Sequence, residues 1–129
     1  METCRRNTVR HRVLSLHKTV RKYFGEAIVV TQEVEDIISS PIVKESIINN
    51  ADCKILLDQR KYRNKFDQIQ TLLGLTDKER AQVLSINLSN DPARRYKEVF
   101  ISLGGVQSAV YATEVSDEEY LAFTTEQTE

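Results

Sequence analysis

At 129 residues, 40% hydrophobic and 29% charged, the chain has the make-up of one globular domain, or a piece of a larger one, rather than of a disordered polypeptide. Its formal net charge of -1 gives the molecule as a whole no electrostatic attraction to nucleic acid or to a membrane surface. Two cysteines, Cys4 and Cys53, cannot build a disulfide framework, and no apolar run approaches the ~20 residues that cross a bilayer, so a reducing cytosol fits best.

The two ends carry opposite charge. Residues 1–22 hold seven Lys/Arg against Glu2 alone, and residues 113–129 hold six acids with no Lys or Arg. Both read first as solvated termini, with residues 5–22 as a secondary nucleic-acid candidate. Val9, Val13, Leu14, Leu16, Val20 and Tyr23 recur at helical spacing, which predicts a helix over 9–24 with Gly25 as its left-handed C-cap. Residues 27–30, AIVV, form an uninterrupted and mostly β-branched run of the kind found in strands covered on both faces. Thr31 and Gln32 end that run, and a helix is expected from 33 to 38.

Ser40-Pro41 restarts the chain, with Ser40 as cap and Pro41 at the first helical position. Ile42, Val43, Ile47, Ile48 and Ala51 then make an apolar stripe, and Asn49-Asn50 terminate it. Residues 53–57 read as a second buried strand, with the Cys53 thiol acting as a small hydrophobe. Helix, strand, helices, strand is the order that a parallel α/β sheet requires. Tyr62, Phe66, Ile69 and Leu73 describe an amphipathic helix broken at Gly74-Leu75. Thr76-Asp77-Lys78-Glu79 is a capping box that opens the next helix, to about Leu84 or Ile86.

After the polar loop 87–95, residues 96–103 and 106–113 flank Gly104-Gly105. This predicts a two-residue hairpin with Leu103 opposite Val106, Ile101 opposite Ser108 and Val99 opposite Val110. Ser116-Asp117-Glu118-Glu119 is a second capping box, opening a short helix through Tyr120 and Phe123, and residues from about Thr125 should fray.

The run 18–43 (KTVRKYFGEAIVVTQEVEDIISSPIV), Asn49-Asn50, 54–58 (KILLD) and the Gly104-Gly105 hairpin together resemble the carboxy-terminal end of TraG-like conjugation ATPases. These are the type IV secretion motors of conjugative transposons, which are bacterial mobile elements. The resemblance covers 18–129 and leaves 1–17 as a divergent basic segment. It implies part of a RecA-like P-loop core, with parallel strands, flanking helices, a C-terminal β-hairpin and a short helix, in a family that works as hexamers on ATP and Mg²⁺. It also implies that Thr31 and Gln32 are the catalytic candidates, with Gln32 sensing the γ-phosphate or the attacking water. A carboxamide suits that role because it donates and accepts hydrogen bonds at once.

The sequence departs from the family where chemistry is concentrated. No Gly-x-x-x-x-Gly-Lys-Ser/Thr motif occurs, the four glycines being Gly25, Gly74, Gly104 and Gly105, and no strand ending in Asp-Glu precedes residue 18. The expectation is a fragment that is inactive alone and carries no cofactor by itself. Its parent would power transfer of DNA or pilus subunits in the cytoplasm, at the inner face of the membrane through partners. Arg60, Arg63, Arg94 and Arg95 are candidates to face a neighbouring subunit or DNA. The alternative is a free-standing interaction module that binds other conjugation and secretion components, or itself, through an exposed sheet edge. His11 and His17 lack metal-ligand partners and read as surface residues.

Overall fold

The computed structural model describes residues 15–16, 19–32, 39, 41–88 and 96–123. Its elements in chain order are a 3-10 turn at Val20–Tyr23, helix α1 at Pro41–Asn50, strand β1 at Cys53–Leu56 and a second 3-10 stretch at Arg60–Lys65. Helices α2 at Phe66–Leu73 and α3 at Asp77–Ser85 follow, then strands β2 at Lys97–Leu103 and β3 at Gln107–Thr113, and helix α4 at Asp117–Phe123. They fall into two compact units. One takes the described parts of Met1–Asp52 together with Phe66–Leu75, and the other takes Cys53–Lys65 with the described parts of Thr76–Glu129.

In the first unit, α1 starts at Pro41 and stops at Asn50, as the proline and the asparagine pair predict. Ile48 and Ala51 of its stripe are half-buried. Ser40, the side chains of Ile42, Val43 and Ile47, the helix expected at 33–38 and much of the one expected at 9–24 lie outside the described residues. Helix α2 buries Phe66, Ile69 and Leu72, whereas Leu73, expected on that face, is only half-buried. Its end is a Schellman motif: the Leu75 amide donates to the Gln70 carbonyl at 3.0 Å and the Gly74 amide to the Thr71 carbonyl at 3.4 Å, with Gly74 at φ 64°.

Two expectations for this unit are corrected. The left-handed residue that closes the Val20–Tyr23 turn is Phe24, at φ 53°, and not Gly25. Gly25 is needed for closeness instead: its amide donates to the Val20 carbonyl at 3.0 Å, and a Cβ there would lie 3.0 Å from the Val20 side chain. Residues 27–30 take no regular secondary structure and join no sheet among the described residues, and Ile28 and Val30 are 83% and 88% exposed rather than buried.

The second unit is a three-stranded sheet in the order β1-β2-β3 with both pairings antiparallel. The parallel arrangement expected for the second strand is therefore not the one β1 adopts; it lies antiparallel to β2, Ile55 facing Ile101. The physical reason is that β2, with seven residues, offers β1 a complete ladder, whereas residues 27–30 offer none in the described structure. Cys53 is an exposed free thiol at the start of β1, not a buried one.

Hairpin β2–β3 forms where Gly104-Gly105 predicts it, with both glycines at positive φ (57° and 69°) and the Val106 amide donating to the Leu103 carbonyl at 3.1 Å. The register differs from the expected one by one residue. Leu103 pairs with Gln107, Ile101 with Ala109 and Val99 with Tyr111, so Val106 joins the loop. A one-residue slip exchanges the two faces of a strand. In the observed register Phe100, Ser102, Ser108 and Val110 share one face, and α3 packs against β2 and β3. Phe100, Val83 and Ile86 are the fully buried apolar residues of this unit. That core sets the register, and the loop adapts by one residue.

Candidate functional site

Strand β1 gives way after Leu56 to a polar run, Asp58-Gln59-Arg60, that starts the second 3-10 stretch. The Asp58 carboxylate turns back on that stretch: it accepts from the Arg60 amide at 3.0 Å and from the Arg60 Nε at 3.0 and 2.8 Å, and lies 2.7 Å from Nη2. From the other side Asn87 Nδ2 donates to Asp58 Oδ2 at 3.3 Å. Asn87 stands at φ 56°, a left-handed position that asparagine tolerates better than most residues. It exchanges two bonds with β2, its amide donating to Glu98 Oε2 at 2.8 Å and its Oδ1 accepting from the Glu98 amide at 3.0 Å. Arg60, Asp58, Asn87 and Glu98 thus form one continuous polar chain.

Partial burial pushes the Asp58 carboxyl up, but the hydrogen bonds from Arg60 and Asn87 and the Arg60 charge outweigh it and hold Asp58 below the ordinary carboxylate range. The same contact raises Arg60, chiefly through the hydrogen bond to Asp58. The arrangement presents a guanidinium whose Nε and Nη2 are fixed on a carboxylate and whose side chain is 49% exposed. Its other donors are pre-oriented for an anionic group. Arg63 follows three residues later, and at three residues per turn the two share a side of the 3-10 stretch. Between them Lys61 Nζ lies 5.6 Å from the centroid of the Tyr62 ring. Gln59 donates from Nε2 to the Leu57 carbonyl at 3.2 Å, while its Oε1 is buried with no hydrogen-bond partner.

Of the residues expected from sequence, Thr31 and Gln32 follow 27–30 directly and are exposed. Arg60 and Arg63 lie on the same 3-10 stretch, and Arg94 and Arg95 lie outside the described residues. A phosphate cradle of the P-loop kind needs free amides at the start of a helix after a glycine-rich turn. Gly104 and Gly105 serve the hairpin turn and Gly74 ends α2. The first turn of α3 is closed by its own carboxylate: Glu79 Oε2 accepts from the Thr76 amide at 2.8 Å while Thr76 Oγ1 accepts from the Glu79 amide at 3.2 Å. These residues do not fit a nucleotide phosphate.

Asp58, Asn87 and Glu98 were not singled out by sequence reasoning. An Asp two residues before an Arg at the end of a strand, where a carboxylate can close on the following backbone, is the signal that marks the first of them. The Asn87–Glu98 exchange spans a polar loop, and sequence spacing carries no trace of it.

Comparison with known proteins gives one family match: the TraG P-loop domain, over residues 3–129. No curated protein and no solved structure matches the chain.

Proposed function

The chain belongs to the TraG P-loop domain family, a family of ATPases related to conjugative transfer, and from that membership we propose that it is the carboxy-terminal part of such an ATPase and hydrolyses no ATP by itself. The observation that carries this reading is a family match over residues 3–129 in a sequence that holds no Gly-x-x-x-x-Gly-Lys-Ser/Thr loop. In the complete domain residues 27–30 are a strand of a RecA-like parallel core. Their β-branched make-up and their exposure here support that role. Gln32, at the end of that strand, holds a water through its two-sided carboxamide, and Arg60 and Arg63 face a neighbouring subunit or DNA.

ATP and Mg²⁺ belong in this reading to the complete ATPase, and its partners are other secretion components that carry DNA or pilus subunits. No described helix is long and apolar enough to cross a membrane. A cytoplasmic place, at the membrane only through partners, agrees with that. The test is nucleotide binding and turnover by the purified chain with Mg²⁺-ATP and a fluorescent analogue. Neither is expected. Mg²⁺-dependent turnover that Gln32→Ala abolishes would overturn the proposal.

A second reading, a free-standing module that binds secretion components through a sheet edge, has one observation in its favour. No strand lies outside β3 among the described residues. Binding to a TraG-family ATPase that survives substitution along β3 would count against it.

A further inference from the structure

Outer strands in natural sheets are blunted by charge, proline, bulges or shortness, because an unpaired row of backbone groups recruits other chains. Strand β3 has none of these protections. Its sequence, QSAVYAT, is seven residues long, holds no charged residue, proline or glycine, and pairs with β2 over its whole length without a bulge. That is the make-up of segments that assemble edge to edge. Tyr111 is 53% exposed on it, and Ala112 and Thr113 are exposed as well. By contrast β2, the central strand, carries Lys97 and Glu98.

We propose that β3 pairs antiparallel with β3 of a second copy across a two-fold axis at Val110, giving a continuous six-stranded sheet. This rests on the edge-binding reading above and sharpens it by naming the partner. A second copy is the occupant that the strand's own pattern fits. With Val110 on the axis, Ala109 meets Tyr111 of the partner copy, Ser108 meets Ala112, and Gln107 meets Thr113. No charge opposes a like charge at any of these positions, and the small Ala109 leaves room for the tyrosine ring on each side of the axis. The contact is isologous, so each favourable pair occurs twice and the assembly closes at two copies. Gln82 braces the start of the strand from α3, its Oε1 accepting from Ser108 Oγ at 2.8 Å and its Nε2 donating to the Ser108 carbonyl at 3.3 Å. These bonds tie the start of the strand to α3, and a strand held in place before association has less ordering to undergo.

The test is sedimentation velocity of the full chain over a hundredfold range of concentration, with amide hydrogen exchange at both extremes. A monomer–dimer equilibrium is expected, with β3 amides exchanging more slowly in the dimer. Ala112→Lys and Tyr111→Lys, both at exposed positions, should each raise the dissociation constant tenfold or more with an unchanged far-ultraviolet circular dichroism spectrum. A monomer at every concentration would overturn the proposal. So would a dimer that both lysine variants leave intact, or one whose β3 amides gain no protection. Edge-dependent capture of a TraG-family ATPase by a chain that never self-associates would keep the edge-binding reading and sink this one.

Discussion

Ser102 Oγ donates to Glu79 Oε1 at 2.7 Å, and this one bond ties the first turn of α3 to the central strand of the sheet. Both residues are almost fully buried, at 3% and 4% exposure. The other Glu79 oxygen closes the capping box on Thr76, so the carboxylate caps a helix and satisfies a buried hydroxyl at once. Glu79→Ala leaves the Ser102 hydroxyl and the Thr76 amide without their acceptor, and should lower unfolding stability by about 1–3 kcal/mol. Urea denaturation measures this. A loss no larger than that of an exposed α3 substitution such as Lys78→Ala would show that the bond is incidental.

The same carboxylate makes stability depend on pH. Burial pushes Glu79 up, but bonds from the Thr76 amide, the Ser102 hydroxyl and the Thr76 hydroxyl, with the Lys54 charge, bring it below its ordinary value of 4.5. A group depressed on folding stabilises fully above its unfolded pKa and loses that contribution as pH falls through its folded one. Asp58, held below 3.8, acts in the same direction. The urea midpoint should therefore stay level near neutrality and drop below about pH 4.5. In Glu79→Gln the drop should be shallower and should start lower, leaving the Asp58 part. An unaltered pH profile in that variant would rule out Glu79 as the source.

What sequence made legible was local chemistry. Thr76–Glu79 and Ser116–Glu119 read as capping boxes, and both are present with their reciprocal bonds. Pro41, Asn50, Gly74 and Gly104-Gly105 mark boundaries that the chain respects. What sequence did not reveal was pairing between distant segments. The direction of β1 depends on β2, some forty residues away. The hairpin register depends on which strand face packs under α3, and not on the turn. The Arg60–Asp58–Asn87–Glu98 chain needs three segments in place before it exists. At the candidate site, Thr31 and Gln32 are legible as polar residues at the end of an apolar run, and both are exposed.

Asn87 combines a backbone and a side-chain role that substitution can separate. Asn87→Ala loses the side-chain bonds to the Glu98 amide and to Asp58, keeps the backbone bond to Glu98 Oε2, and puts a Cβ-bearing residue without a polar side chain at φ 56°, so a loss of about 2–3 kcal/mol is expected. Asn87→Gly loses the same bonds but relaxes the backbone, and should cost about 1 kcal/mol less than the alanine variant. Chemical denaturation of the pair decides the matter. Equal losses would mean that the left-handed position carries no strain and that the hydrogen bonds account for everything.

The hairpin loop gives the sharpest test of what sets the register. Gly104 and Gly105 already have the positive φ angles of a tight two-residue turn, and Val106 is an extra residue, 89% exposed, between that turn and Gln107. Deleting Val106 leaves Leu103 opposite Gln107 across Gly104-Gly105 alone, with every later pair unchanged. If packing of Phe100, Ser102, Ser108 and Val110 under α3 fixes the register, stability should change by no more than about 0.5 kcal/mol, as for a neutral surface change. Deleting Ser108 instead would shift the strand by one residue, move Tyr111 onto the α3 face and cost several kcal/mol, since a slip exchanges the two faces. Gly105→Ala should cost about 1 kcal/mol or more, because alanine resists φ 69°. Thermal unfolding of the three variants separates the cases. A Val106 deletion as damaging as the Ser108 deletion would mean that the loop, and not the packed face, holds β3 in place.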